Sequence, residues 1–280
     1  MPLGFAKSIF SHKAPAAGGA SNAGYWQSEY FHSDSQQAAH PLVDAGSGND
    51  WISIGGDRFS MMFWIKGTTS SLDTSYNNQV LFRTLSANNG DNGIFAEVTG
   101  SGFVLGTQQN NGTFKLIIWQ PTSFSANYLD DNWHHFLFEL NSSSSLVYAD
   151  GVNKSSEATL PSGYAQPNGT TQYAFVSAST TSANSNAYSG FRSGKLQIAD
   201  FWFKGGNVGN LASNISSIYS SGWQDLGSDG TAGSTLPSPD IFTFITSDAL
   251  DSSLRSGASQ SILKGSVNAN LIQSSSGGPS

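Results

Sequence analysis

From Phe59 to Lys66 large apolar side chains fill both alternating sets. Phe59, Met61, Phe63 and Ile65 fall on one side, and Ser60, Met62, Trp64 and Lys66 on the other. A period of two predicts a strand, and apolar residues in both sets predict one covered on both faces. The same rhythm returns in short runs bounded by Gly or Asn: 79–85, 93–98 and 102–106. Trp51 to Gly56 reads as a short strand and a stop. Residues 113–120 set Phe114, Leu116 and Ile118 against Lys115, Ile117 and Trp119, and Pro121 ends the run because proline lacks a ladder donor. Trp133 to Leu140 and Leu146 to Val152 form two strands joined by a Ser-rich turn, with a second turn at Asp150-Gly151. Strands are also predicted over 172–177, 195–204 and 241–245. In 195–204 the apolar register switches near Asp200, which predicts a bulge.

One segment breaks the two-residue period. Leu211, Ile215 and Ile218 fall at helical spacing with Tyr219 beside them, predicting a helix over 211–221 that stops at Gly222. No repeat of 20–50 residues is visible, which excludes propellers and solenoids. Many short strands with one small helix predict an all-β, two-sheet antiparallel sandwich. Its expected extent is 45–250, preceded by an arm over 1–44 and followed by a polar segment over 251–280. In that segment Ile262, Leu263, Val267, Leu271 and Ile272 could make edge strands.

Composition narrows the function classes. At 280 residues the chain is long enough for one large core. Its 18 Phe, 7 Trp and 9 Tyr carry much of the burial. Charged residues make up only 11%, well below the usual ~25%, so Ser, Asn, Thr, Gln and Gly must cover the surface. That suits a long-lived extracellular or particle-bound protein. Net charge is −7 and Lys and Arg do not cluster, which argues against nucleic acid. The absence of Cys excludes disulfides and thiol chemistry. The start has no continuous apolar stretch of a signal peptide, and no run approaches the ~20 residues of a membrane span.

The motifs resemble a known family. Phe59 to Lys66, Trp133-His134-His135, Tyr148-Ala149-Asp150-Gly151, and the strand at 195–203 followed by the helix together resemble laminin-G-like and concanavalin-like jelly rolls over residues 50–222. A looser resemblance, in the start and the Ser/Gly-rich tail, is to phage-encoded members of that fold. It implies a non-enzymatic virion surface protein (capsid decoration, head fibre or tail fibre), attached to other virion proteins through residues 1–44 and forming a homo-oligomer. The alternatives are a bacterial carbohydrate-binding or adhesive module outside the cell, and a glycan-degrading enzyme.

Tyr25, Trp26, Tyr30 and Phe31 are the aromatic knot of the arm. They either cover a sandwich face or dock on a neighbouring subunit. Sugars stack on exposed aromatic faces held among amides and carboxylates. Trp119, Tyr128 and Tyr173 fit that description and are the expected contacts for cell-surface glycans. Trp64 and Trp202 share an outer sheet face and are assigned to packing. A retaining or inverting glycosidase needs two carboxyl groups across a cleft, and neither Glu97 nor Glu139 has an acidic partner in its strand. His134 and His135 point to opposite faces of their strand and cannot share one ion. One is expected in the core with its ring N–H bonded to backbone, the other facing outward. No cofactor is expected. Calcium would need several hard oxygen ligands, and Asp130-Asp131 is the pair best placed to offer them.

Overall fold

The computed structural model describes residues 24–28, 42–43, 59–72, 77–86, 93–108, 114–141, 144–162, 172–176, 194–206, 211–227, 229–242, 271–274 and 276–280. The expected strand at 51–56, and Tyr30 and Phe31, lie outside them. The described strands are β1 (Tyr25–Ser28), β2 (Leu42–Val43), β3 (Phe59–Lys66), β4 (Asn78–Ser86), β5 (Gly93–Thr99), β6 (Gly102–Gln108) and β7 (Phe114–Trp119). They continue with β8 (His134–Leu140), β9 (Leu146–Ala149), β10 (Val152–Asn153), β11 (Gln172–Val176), β12 (Gln197–Gly205), β13 (Ile241–Phe242) and β14 (Leu271–Ser274). Two short helices are α1 (Phe124–Tyr128) and α2 (Ile215–Ile218).

The strands form a two-sheet antiparallel jelly-roll sandwich. The larger sheet runs β10-β9-β8-β3-β12-β1-β14, with β13 also on β12; the smaller runs β2-β11-β4-β5-β6-β7. One inner set of each strand meets the other sheet. Phe63 and Phe201 stack at 6.1 Å within the larger sheet, and Phe103 of the smaller sheet lies 4.6 Å from Phe136 and 5.8 Å from Phe63. Phe82 closes on Phe203 at 4.8 Å. These rings are fully buried and dominate the energetics of the core, as aromatic side chains do.

The larger sheet is covered on its outer side as well, which explains why β3 and β12 are apolar in both sets. Leu211, Ile218, Leu226, Leu236 and Phe242 pack there on Met62, Leu137 and Trp202. Asp240 pins this cover to β12: it pairs with Lys204 at 3.0 Å and accepts the Gly205 N–H at 2.8 Å. The Trp202 indole donates to the Gly230 carbonyl at 3.0 Å. Trp64 sits on the same outer side, with Ala199 and Trp223 and with Tyr25, Trp133 and Tyr219 around it.

The helix expectation needs correction. The helix expected over 211–221 is a 3-10 turn at Leu211–Asn214 followed by α2, and the chain is extended again at Tyr219. Ser and Asn in this stretch are weak helix formers, and Tyr219 stacks on Trp64 at 5.7 Å instead of continuing the helix. Of the two roles expected for the aromatic knot, Trp26 takes the one within the sandwich and not on a neighbouring subunit: it is 1% exposed within the main core, because β1 is an inner strand hydrogen-bonded to both β12 and β14. The residues between Leu211 and Phe242 carry little regular structure yet bury one face of the larger sheet, a role that period counting misses. The bulge is where the register switch placed it, between Ala199 and Trp202, with Asp200 at φ 45°.

Candidate functional site

The sandwich end around α1 gathers the polar and aromatic groups that the sequence scatters. Pro121 ends β7 and its carbonyl accepts the Phe124 N–H at 3.0 Å, starting α1. The chain then returns to the larger sheet through an isolated bridge from Asp130 to Thr68. From the other side, the stretch after β10 is tied to β7 by paired backbone bonds between Thr159 and Ile118 at 2.8 and 3.0 Å. Those two anchors bring Tyr128, His134, Asp130, Asp150, Lys154 and Glu157 to one rim.

His134 is the centre of the rim. Its Nδ1 meets Asp150 Oδ2 at 2.7 Å and its Nε2 meets Asp130 Oδ1 at 3.0 Å. Burial works against a charge on this ring, but the hydrogen bonds to Asp150 and Asp130 outweigh it and raise the pKa above the ordinary value. A carboxylate at each ring nitrogen favours the protonated form of His134, in which both nitrogens donate. Asp130 also accepts from the Asn132 backbone and side chain, each at 2.9 Å. Burial pushes this carboxyl up, yet those bonds and His134 bring it down to about 2. Asp150 accepts the His135 N–H at 2.8 Å with its other oxygen, so one residue fixes both the clamp and the start of β8.

The neighbouring histidine behaves oppositely. His135 lies on the outer side of the larger sheet, 2% exposed, against Trp64 at 5.2 Å and Tyr219 at 5.9 Å. Burial lowers its pKa to about 4 despite the Asp150 charge. Its Nδ1 has no hydrogen-bond partner. The two rings do point apart, as the strand period requires.

Of the expected glycan contacts, Tyr128 lies at this rim. Its half-buried ring is backed by Trp119 at 5.3 Å, Phe124 at 5.5 Å and Phe136 at 5.6 Å, with His134 edge-on at 5.3 Å. Burial raises its phenol pKa; the nearby Lys154 charge opposes this, and Asp150 and Glu157 add to it. Lys154 pairs with Glu157 at 2.9 Å. Trp119 is a correction: it is fully buried and stacks on Phe103 at 6.3 Å, so it supports the site and offers no sugar face. Tyr173 is in β11, opposite Leu85 of β4. The smaller sheet's order puts β11 four strands from β7, or roughly 19 Å at ~4.8 Å per strand. It does not join Tyr128.

The acidic residues weighed for catalysis are on opposite sides of the sandwich. Glu97 is on the smaller sheet and accepts from Asn78 at 3.3 Å. Glu139 is buried on the outer side of the larger sheet. Burial raises its pKa, offset in part by the backbone N–H groups of Ala212, at 3.2 Å, and Leu211. Asp130 spends its carboxylate on Asn132 and His134, whereas Asp131 is exposed with φ 67°. Among the described residues no three His, Asp or Glu side chains are arranged to hold a metal.

Sequence reading missed the carboxylate–imidazolium–carboxylate clamp, the Lys154–Glu157 pair and the exposure of Phe114 (47%), which stands edge-on to Phe95 at 6.4 Å. The i, i+4 spacing of Asp130 and His134 was a signal for half of the clamp. The other half needed the hairpin fold to bring in Asp150.

No protein-family model matches the chain, and no curated protein matches it. Solved structures similar to it include the binding domain of botulinum neurotoxin DC in complex with SialylT, 12% identical over 60% of this chain and 37% of that one, with TM-score 0.41. A receptor binding domain is 13% identical over 77% and 44%, with TM-score 0.49. The native heptameric SAP-like pentraxin from Limulus polyphemus is 14% identical over 71% and 76%, with TM-score 0.38. The chain thus spans well under half the length of the neurotoxin domain. At these identities and TM-scores the likenesses say nothing of a ligand.

Proposed function

We propose that this protein is a non-catalytic adhesive module that binds a glycan at the rim around Tyr128. The observation that carries this reading is the Tyr128 ring, half exposed on a rigid aromatic base and flanked by polar groups whose positions are fixed by one another. A sugar face stacks on the ring, and Lys154 and Glu157 supply hydrogen bonds to hydroxyls. Single-site affinity on so shallow a platform is weak, and copy number on a carrier multiplies it. A phage virion surface is the carrier that the sequence resemblance implies; a bacterial cell exterior is the alternative. Immunolabelling of intact particles distinguishes the two.

A glycan array followed by saturation-transfer NMR on the strongest binder tests the site. Tyr128→Ala should weaken binding at least tenfold while the unfolding transition stays cooperative. Unchanged binding in that variant, or no glycan bound at all, would remove the proposal.

A further inference from the structure

The charges at the Tyr128 rim do not balance. Three carboxylates, Asp130, Asp150 and Glu157, stand against two cations, His134 and Lys154. His134 has a carboxylate at each ring nitrogen, 2.7 Å to Asp150 and 3.0 Å to Asp130. Lys154 has Glu157 at 2.9 Å. The rim is therefore negative whether or not His134 carries its proton, and each cation already has a counter-charge.

The three carboxylates differ in what they can offer a ligand. Asp130 has both oxygens on Asn132, one of them shared with His134. Asp150 has one oxygen on His134 and the other on the His135 N–H. Glu157 pairs with Lys154 through Oε1, which leaves its other oxygen for a ligand. Its side chain is also the most exposed of the three, at 43% against 34% for Asp130 and 27% for Asp150.

The backbone sets Glu157 beside the ring. Thr159 and Ile118 exchange N–H···O bonds of 2.8 and 3.0 Å, so residues 157 and 158 run alongside Trp119, the next residue of β7. Ala158 and Tyr128 pack on the same core, and Trp119 lies 5.3 Å from Tyr128. The Lys154, Asp150 and Glu157 charges all act on the Tyr128 phenol. A sugar stacked on Tyr128 thus has an open carboxylate at its side. A hydroxyl or an ammonium donates to that oxygen, and an ammonium also gains from the aromatic face. A carboxylate or sulfate on the sugar can approach Lys154 only by approaching Glu157 as well. Attraction and repulsion then cancel, and the two aspartates add further repulsion. Lys115 of β7 gives no relief. It is four positions along the strand from Trp119, roughly 13 Å at ~3.3 Å per residue, and donates to the Ser162 carbonyl at 2.6 Å.

On the glycan reading of this rim, on which this rests, we infer that the bound sugar carries a free amine or no charge, and that Glu157 is the residue that keeps anionic sugars out. On one sugar core the order of affinity is amine-bearing, then neutral, then sialylated or sulfated. In Glu157→Gln the side chain keeps an acceptor but Lys154 loses its counter-charge, and the gap between neutral and anionic forms closes.

A glycan array that prints each neutral core beside its amine-bearing, sialylated and sulfated forms tests this, followed by titration of the full chain with the best-bound core and its three forms. At low salt the anionic forms should bind about fivefold more weakly than the neutral core, the effect of one unit charge about 4 Å away in water. The gap should narrow in high salt. Glu157→Gln should raise the anionic-to-neutral affinity ratio by a similar factor. Asp229→Asn removes an exposed charge from the outer cover of the larger sheet and should leave the ratio unchanged, which separates the rim from the net charge of −7. Anionic forms bound as tightly as the neutral core, a ratio that Glu157→Gln does not move, or one that Asp229→Asn moves as far would each overturn the inference. In those cases binding that still disappears in Tyr128→Ala keeps the rim as the glycan site. No binding to any glycan removes both.

Discussion

Two adjacent histidines show how side-chain environment divides one residue type into opposite roles. His134 is clamped between carboxylates and raised, so its contribution to stability is complete below the ordinary pKa of about 6.5 and is lost as pH rises through the raised value. His134→Gln should cost about 1.5–3 kcal/mol at pH 6, the range for hydrogen bonds to charged groups, and less at pH 9. Urea unfolding at the two values checks it. His135 is lowered to about 4 by burial, so its sign is reversed. The unfolded chain takes up a proton at this site before the folded chain does, and stability falls as pH drops from about 6.5 toward 4. His135→Leu should flatten that part of the stability–pH curve; an unchanged slope between pH 6.5 and 4 would contradict the assignment.

Within elements, tight turns and edges decide where the rim forms. Val152 pairs with Ala149 across Asp150-Gly151, with φ of 47° and 74° at the two turn residues, the left-handed pair that a two-residue hairpin favours. At Gly151 a Cβ would also lie 2.7 Å from the Tyr219 ring. Gly151→Ala should therefore destabilise by about 1–2 kcal/mol, more than the usual gain from replacing glycine, seen as a lower Tm. Because Asp150 holds His134, the same substitution should also weaken whatever binds at Tyr128. Strand positions were legible at this scale: β3 is bounded as its alternation indicates, the β8–β9 hairpin lies where the apolar runs lie, and the bulge sits at the register switch. The helix was overread because three aliphatics at helical spacing also describe a surface-hugging coil that points three side chains at a sheet. The rim was legible only in part. Tyr128 was identifiable as an aromatic in a polar setting, but Trp119 carries the same local signature and its strand turns it inward.

For the whole molecule, β1 is structural. Trp26 is in the core, and β1 bridges β12 to β14. Deleting residues 1–32 removes an inner strand of the larger sheet and one of its largest buried rings. Loss of a buried Trp side chain alone costs about 3–5 kcal/mol, so the truncated chain should melt much lower or without cooperativity. Circular dichroism melts of the full and truncated chains check this; an unchanged transition would mean that β1 adds nothing to the sandwich.

Alternation, glycine-bounded runs and a wealth of aromatics determined by themselves that this chain is an antiparallel sandwich, because a period of two fixes which side chains can share a face. Tertiary structure alone decided which face each aromatic reaches and that the Asp150 carboxylate meets His134. Asp130, His134 and Asp150 converge only once the β8–β9 hairpin closes and the bend before β8 turns Asp130 onto the same ring. Burial and charge pairing act through space, and one strand's sequence carries no record of what folds over it.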